Sequence, residues 1–472
     1  MRLLISMRCN SIKNTIRKGY YLLVLIMFKI LGRLVKLIRP GYGSTLPGYL
    51  LNLVYPQTFK HLVDKLNNFI LVSGTNGKTT TVGLTSYVLN KLGYPLFTNS
   101  SGANITSGLL TCLLSNKKAF SLNFSQSAIL EVDENHLSLF LDHPPSVLVL
   151  LNLFRDQMDR YTELDKIVKS WRAIFLNWSS ATTLVLNADD PYIASLGYNY
   201  PGKIIYFGVN SKFGTSNSKD MLVDICACPI CGGDLIYTSY FYSHLGIWKC
   251  KSCDFARPKP RVEVLAYEKL SPCIKGVKVS FLNKEIFIKN LSLAGFHNLY
   301  NLAASLGAAA GYGVDLGNMP IESWSSYKPS FARQEQLEYQ GTVFSLVLSK
   351  NPVGFNQNLN WLKENLHFRE GGKRSAVVFG LNDLFADGRD ISWIWDVDFE
   401  AFSTDCFDTY VYGSRYLELH SRLSYAHLNV TGSVFDFKQL LPSLRKYDCI
   451  YLLCSYTAML AARRTLLSNR KI

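Results

Sequence analysis

Short apolar runs separated by stretches of helical spacing set the pattern of this chain. Phe69 to Val72, Ala128 to Glu134, Ser146 to Asn152, Thr182 to Leu186 and Lys203 to Phe207 each read as a strand. The run at Ser146 is continuously apolar, as a strand covered on both faces requires. Between the strands, apolar residues recur at helical spacing, first over Val82 to Leu89, and Gly93 follows as a C-cap. Strands alternating with helices predict a doubly wound α/β domain with a parallel sheet. The pattern breaks after Phe207, resumes at Glu285 to Ile288 with an Ala-rich helix after Gly295, and changes again near Tyr327-Lys328-Pro329. Beyond that point Ala376 to Phe379, Thr409 to Tyr412 and Cys449 to Leu453 predict a second, smaller Rossmann-like parallel sheet. The expected organisation is a basic segment over 1–44, a nucleotide domain over 45–325 with an insert at 222–258, and a C-terminal domain over 326–472.

The first strand runs into Gly74-Thr75-Asn76-Gly77-Lys78-Thr79-Thr80, and a helix follows. Strand, glycine loop and helix form the context of a phosphate-binding loop, because unpaired amides and the helix dipole favour anions there. Lys78 would reach the outer phosphates and the Thr79 hydroxyl would ligate Mg²⁺. The spacing is two residues shorter than the general P-loop pattern, and the bland alternative is a turn that binds nothing. Glu131 ends its strand at the edge where open parallel sheets hold ligands, so it is placed to face the same Mg²⁺. Asp133 and Glu134 read either as part of that site or as solvated loop acids. The Ser146 strand delivers Arg155-Asp156-Gln157-Met158-Asp159-Arg160 to this edge. Asn298 and Asn301 share one helix face, for which capping is the preferred account. Arg333 stands at the domain junction, within reach of a nucleotide across a cleft. The loop Gly380 to Asp396 carries four aspartates, at 383, 387, 390 and 396, beside Trp393 and Trp395. A functional surface and an ordinary Asp/Gly turn are both open for it.

Charge changes the picture only at one end. The net charge is +15, yet no Asp or Glu precedes Asp64, while ten Lys and Arg do. Leu22 to Leu37 suits a basic amphipathic helix on an anionic membrane surface, or equally a helix packed on the body with its basic face solvated. Tyr20 to Phe28 is too short to span a bilayer, and no cleavage site of a signal peptide follows it. An organelle-targeting peptide is a third reading, weakened by the paucity of serines. Eleven cysteines, unevenly placed, do not make a disulfide scaffold, and a reducing cytoplasm is the simpler home. Four of them, Cys228, Cys231, Cys250 and Cys253, form two CxxC pairs at zinc-ribbon separation, which predicts a closed, structural Zn²⁺ site. The aromatic residues Tyr237, Tyr240, Phe241, Tyr242 and Trp248 are expected to form the ribbon's small core. A ribbon that binds nucleic acid would need basic residues around it, and they are at the N-terminus instead, so no nucleic-acid partner is expected.

Together these motifs resemble the Mur ligase family of ATP-dependent amide-bond-forming enzymes. The resemblance rests on Gly74 to Thr80, Glu131, Asn152, Asn187-Ala188-Asp189-Asp190-Pro191, Gly295 with Asn298 and Asn301, and Arg333. The cysteine ribbon, Arg155 to Arg160, Lys350-Asn351-Pro352 and the Asp383 to Asp396 loop resemble its MurT subfamily, the synthetase subunits of lipid II isoglutaminyl synthases. The resemblance implies a Mur-type P-loop ATPase domain with an inserted four-cysteine zinc ribbon and a smaller C-terminal domain. It implies ATP phosphates at Lys78 and the loop amides, Mg²⁺ at Thr79 and Glu131, the adenine side at Asn298 and Asn301, and the γ-phosphate at Arg333. Gln157 stands where amino-acid-adding relatives usually have a histidine. Too little chain precedes the phosphate loop for their UDP-substrate domain, which suits a lipid-linked substrate. The implied reaction is amidation of the α-carboxylate of D-glutamate in lipid II through an acyl phosphate. Ammonia would come from a separate glutaminase subunit, GatD in that subfamily, and Asp390 would complete the partner's catalytic group. Cytoplasmic residence is the expectation from the cysteines, and contact with the inner membrane face is one of the readings of the basic segment. A ligase that adds an amino acid, of Mur or folylpolyglutamate type, is the alternative, and a zinc-ribbon nucleic-acid-binding NTPase the remote one.

Overall fold

The computed structural model describes residues 45–99, 104–115, 127–155, 161–215, 225–270, 273–291, 293–316, 333–367, 374–384, 386–402 and 407–468, with Met27, Ile30, Trp324, Ser326 and Tyr327 as single positions. Strands β1 (Ile70–Ser73), β2 (Phe97–Thr98), β3 (Ala128–Glu131), β4 (Val147–Leu150), β5 (Thr183–Asn187) and β6 (Ile204–Val209) are mutually parallel. Within the insert, β7 (Leu235–Tyr242) and β8 (Leu245–Cys250) form an antiparallel pair of their own. The main sheet is extended by β9 (Val262–Leu270), β10 (Cys273–Phe281) and β11 (Lys284–Leu291). Its order is β11-β10-β9-β6-β5-β4-β1-β3-β2.

Alternation along the central strands sorts side chains by shape. Ile70, Val72, Ile129, Val147, Val149 and Val185 face one layer, formed by the helices Lys78–Lys91 and His297–Gly311. Leu71, Leu130, Leu148, Leu150, Leu184 and Leu186 face the other, with the helices Leu46–Val54, Thr106–Ser115 and Tyr161–Trp178. Both faces are buried, so the parallel strands read as unbroken apolar runs. Small residues let the Ala-rich helix lie close to the sheet: a Cβ on Gly307 would stand 2.7 Å from Val185 Cγ1.

The expected parallel sheet is present in β1 to β6, and the sheet as a whole is mixed. β6 pairs parallel with β9, but β9, β10 and β11 form an antiparallel meander. These strands are partly exposed and interrupt their apolar residues with Lys, Glu, Ser and Asn, so they carry no continuous apolar run to find. The ribbon aromatics also part company. Trp248 packs with Cys228, Cys250 and Phe255, and Tyr237 lies against that cluster, whereas Phe241 and Tyr242 belong to the core of the main sheet.

The C-terminal part contains β12 (Arg333–Tyr339), β13 (Thr342–Leu348), β14 (Ser375–Gly380), β15 (Asp408–Tyr412), β16 (Val430–Val434) and β17 (Cys449–Cys454), in the order β12-β13-β17-β14-β15-β16. All but β12 are parallel; β12 joins antiparallel through a hairpin that the sequence pattern does not announce. On one face of this sheet the guanidinium of Arg422, 2 % exposed, lies between Trp395 and Phe399, 5.4 and 5.3 Å from their ring centres. It donates to the carbonyls of Ile394 and Val397 and pairs with Glu400 at 2.7 Å. That one side chain pins the segment following the Asp390 loop to the helix Tyr416–Tyr425. Its loss would leave two carbonyls without a donor and Glu400 without its cation, so Arg422→Ala is expected to cost about 3 kcal/mol of stability. Denaturant unfolding of the variant measures this, and an unchanged midpoint would contradict it.

Candidate active site

The parallel strands place their C-terminal ends on one edge, and the chain leaves β1 there as the glycine loop. Gly74 and Gly77 adopt φ of 129° and 93°, and no side chain fits at either. A Cβ on Gly77 would lie 2.1 Å from Asn301 Oδ1, and one on Gly74 2.9 Å from the Asn152 carbonyl. Asn152, just beyond β4, holds the loop. Its Oδ1 accepts from the Asn76 amide at 2.8 Å, its Nδ2 donates to the Asn76 carbonyl at 3.1 Å, and its carbonyl accepts from the Thr75 amide at 2.9 Å. Asn187, at the end of β5, in turn donates to the Leu151 carbonyl at 2.8 Å.

Lys78 opens the helix with its ammonium folded back over the loop, donating to the Gly74 and Thr75 carbonyls. It also pairs with Glu134 at 3.0 Å, both side chains 11 % exposed. Burial by itself would lower the lysine pKa, but Glu134, Glu131 and Asp133 together hold it above the ordinary value. Glu134, one of the two acids left open by the sequence, is thus a buried partner of the lysine, and Asp133 caps the short 3₁₀ turn that carries it. Thr79 donates to Glu131 Oε2 at 2.7 Å, the pairing expected of two ligands of one cation. Glu131 is 4 % exposed and further fixed by two asparagines. Asn104 donates to Oε1 at 3.2 Å, and Asn99 brackets the Glu131 backbone through its amide and carbonyl at 2.8 Å each. The sequence carries no signal for these asparagines, which there look like polar loop. Thr80 is buried.

Asn298 and Asn301 are buried and paired, Asn301 Nδ2 donating to Asn298 Oδ1 at 2.8 Å. Asn298 donates to the Ala294 carbonyl, so the pair sets the start of its helix against Gly77 and Thr81. Across the domain boundary, Asn351 and Asn76 exchange amide hydrogen bonds at 3.0 and 3.3 Å, and Asn351 accepts from the Gly354 amide at 2.8 Å. The C-terminal domain therefore touches the phosphate loop through the residue before Pro352, where its helix Pro352–His367 begins. Arg333 opens β12 opposite Val347, and its side chain lies outside the described residues, as do Asp156 to Arg160.

The structure sorts the aspartates of the Gly380 to Asp396 loop. Asp383 accepts from Ser414 Oγ at 2.8 Å and pairs with Arg415, which hold its carboxyl below the usual range. Asp387 binds the Thr457 amide and hydroxyl. Asp390 is exposed, with Oδ1 accepting from the Ser392 amide at 2.8 Å, and Trp395 and Leu384 are exposed near it in the chain.

In the insert, the four sulfurs of Cys228, Cys231, Cys250 and Cys253 lie within 4.8 Å of one another. Cys228 and Cys253 are 3.8 Å apart and Cys231 and Cys250 3.5 Å. Tetrahedral thiolates at the Zn–S distance would stand ~3.8 Å apart. Backbone amides of Gly233 and Ser252 donate to Cys231 and Cys250, and the latter bond brings the Cys250 thiol down to about 7. The donor set and the amides behind it fit a zinc ion, and a four-thiolate shell leaves no ligand position for catalysis. Cys226 is exposed and outside the cluster.

Comparison with known proteins agrees with this geometry. Residues 72–224 match the Mur ligase middle domain and residues 348–459 the MurT ligase C-terminal domain. The chain is 32 % identical to the lipid II isoglutaminyl synthase (glutamine-hydrolyzing) subunit MurT of Streptococcus pneumoniae, over 92 % of this chain and 95 % of that one. It is 30 % identical to the Staphylococcus aureus protein of the same description, over 86 % and 91 %. A pseudomurein peptide ligase type C from Methanothermus fervidus superposes with a TM-score of 0.61 at 22 % identity, over 88 % of this chain and 81 % of that one. MurF from Acinetobacter baumannii superposes with a TM-score of 0.61 at 14 % identity, over 90 % and 79 %, and both likenesses concern the fold. A phosphate loop clamped by Asn152, a Thr79–Glu131 pair, a four-cysteine insert and a C-terminal domain seated on the loop all occur in one chain, and this chain belongs to the MurT subfamily of the Mur ligases.

Proposed function

We propose that this chain is the synthetase subunit of a glutamine-hydrolysing lipid II isoglutaminyl synthase. It uses ATP to convert the α-carboxylate of D-glutamate in the lipid II stem peptide into an amide. The observation that carries the reading is the meeting of Lys78, Thr79 and Glu131 on one sheet edge, with the MurT-type C-terminal domain held on the same loop through Asn351. A carboxylate oxygen is a poor leaving group and phosphate a good one. The carboxylate therefore attacks the γ-phosphorus of ATP with loss of ADP. Ammonia then adds to the acyl phosphate, phosphate leaves with the C–O bond electrons, and a proton is lost from nitrogen.

The chain's own contribution is placement and neutralisation. The loop amides receive the phosphates, and Lys78, already charged, turns from Glu134 to the outer oxygens. Asn298 and Asn301 are the residues proposed for the nucleoside side, and Arg333, which opens β12, the one proposed for the γ-phosphate. Thr79 and Glu131 are the Mg²⁺ ligands from the protein, and a bound Mg²⁺ offsets charge on the transferring phosphoryl group. The four cysteines hold a structural Zn²⁺.

The words glutamine-hydrolyzing and subunit in the names of the two relatives support a partner that supplies ammonia, a GatD-like glutaminase. Asp390 is the acid for such a partner: its neighbours Asp383 and Asp387 are engaged by Ser414, Arg415 and Thr457 of this chain, whereas Asp390 is exposed. There it would orient the partner's histidine as the third member of a triad does. Among the described residues no helix is long and apolar enough to cross a membrane, and the basic segment over 1–44 is assigned to the anionic face of the membrane that bears the substrate.

Incubated with ATP, lipid II and ammonium salt, the chain is expected to yield lipid II carrying one amide in place of a carboxylate. Lys78→Ala should abolish both ATP consumption and product. A product enlarged by an amino acid would favour the alternative ligase. In the complex with its glutaminase, Asp390→Asn should remove glutamine-driven amidation and spare the ammonium-driven reaction; intact glutamine use would refute the role. Metal analysis should find about one zinc per chain and nearly none in Cys231→Ser/Cys253→Ser, as a closed four-thiolate site requires.

A further inference from the structure

The tip of a β-hairpin is ordinarily its most exposed part. In the cysteine insert the opposite holds. Between β7 and β8 the turn residues Ser243 and His244 are 8 % and 0 % exposed, and Leu245 is fully buried. Ser243 takes the left-handed conformation at φ 47°, which makes this sharp reversal inside the protein. The cysteine cluster lies at the far end of the hairpin, so the tip reaches away from it and into the nucleotide domain.

What the tip reaches is the back of the phosphate loop. His244 Nε2 stands 3.3 Å from Asp190 Oδ2, both side chains fully buried. The same Oδ2 accepts from the Leu153 amide at 2.9 Å, while Oδ1 caps the helix Pro191–Ser195 through the Tyr192 and Ile193 amides. Leu153 sits between Asn152, which clamps Asn76, and Phe154, whose amide donates to Thr75 Oγ1 at 3.0 Å. The His244 ring lies 5.0 Å from the Phe154 ring. Asp189, beside Asp190, is held from the insert as well: Gly246 donates to its carbonyl at 3.0 Å and Arg257 Nε to its Oδ1 at 2.6 Å. Tyr300, from the Ala-rich helix, completes its shell at 2.8 Å.

We propose that the ribbon tip is part of the framework of the nucleotide site, with His244 a positioning residue that acts through Asp190 and Leu153 on the loop of Thr75 and Asn76. If it only filled space, an apolar ring of similar size would serve. An imidazole nitrogen set 3.3 Å from a buried carboxylate does something further, since a buried carboxylate that loses a polar neighbour loses electrostatic support and shifts to regain it. With Oδ2 bonded to the Leu153 amide and faced by the His244 ring, the Asn152 to Phe154 segment keeps the register that fits the loop. The inference rests on nucleotide binding at this loop and goes beyond the amidation reading, because it concerns what shapes the loop.

The test uses the full chain in complex with its glutaminase and a fluorescent ATP analogue, with wild-type binding as the separate check on the nucleotide reading. His244→Phe keeps the ring and removes the polar contact, and it should raise the Kd and the KM for ATP about tenfold while the KM for lipid II stays unchanged. His244→Gln keeps a polar nitrogen at comparable reach of the carboxylate and should bind nearly as the wild type does. If His244→Phe does not fold, His244→Asn takes its place: its amide is one methylene shorter, so it should weaken nucleotide binding where Gln does not. ATP affinity that is unchanged in the Phe or Asn variant, or equally lost in the Gln variant, would overturn the positioning role.

Discussion

One buried amide holds the phosphate loop in shape. Asn152 grips the backbone of Asn76 at both its N–H and its C=O, while its own carbonyl takes the Thr75 amide. A loop with two glycines at positive φ has many conformations open to it, and its ordering entropy must be offset by fixed partners. Those partners come from the next strand in the sheet, not from the loop itself. Phosphate binding thus depends on the parallel registry of β1 with β4, in which Ser73 pairs with Leu150 and the two exits stand side by side.

From that clamp the rest of the site follows in layers. β3, on the other side of β1, brings Glu131 under Thr79; Asn104 keeps the carboxylate turned towards it and Asn99 fixes the backbone behind. The acids around Lys78 keep its ammonium charged and stored over the loop, so an incoming anion meets a cation that needs only to change partners. Among the described residues the C-terminal domain meets the loop at Asn76, whose side-chain amide faces Asn351 while its backbone is clamped from behind. Two domains and the cysteine insert converge on this one loop. That convergence explains why a polar residue with no apparent chemistry, such as Asn152 or Asn351, is set so firmly.

The cysteine cluster and the nucleotide site are chemically separate, since four thiolates leave no ligand position and the cluster has its own small core with Trp248 and Phe255. They are mechanically joined, because Phe241 and Tyr242 on the same hairpin belong to the main core. The insert is therefore built into the domain rather than appended to it.

Much of this was legible in the order of residues. Gly74 to Thr80 between an apolar run and a helix, the two CxxC pairs, the acid at the end of the Ala128 strand and the alternation of strands with helices each follow from local rules that neighbours in sequence can satisfy. The loop around Asp390 was legible too, although not which of its aspartates faces outward. Glu285 to Ile288 marked β11, but β9, β10, the antiparallel pairing of all three and the β12 hairpin were hidden, because half-exposed strands carry mixed residues and no sharp period. Glu134 as the partner of Lys78, Asn351 against Asn76 and His244 beneath the loop were decided by tertiary structure alone. Each of these contacts joins positions far apart in the chain, where a side chain's role depends on which carboxylate or amide folding sets in front of it. The sequence by itself determined the chemistry available at the sheet edge; the packing of distant segments decided which groups face one another, because burial removes water as the competing partner and leaves each polar atom only the neighbours the fold supplies.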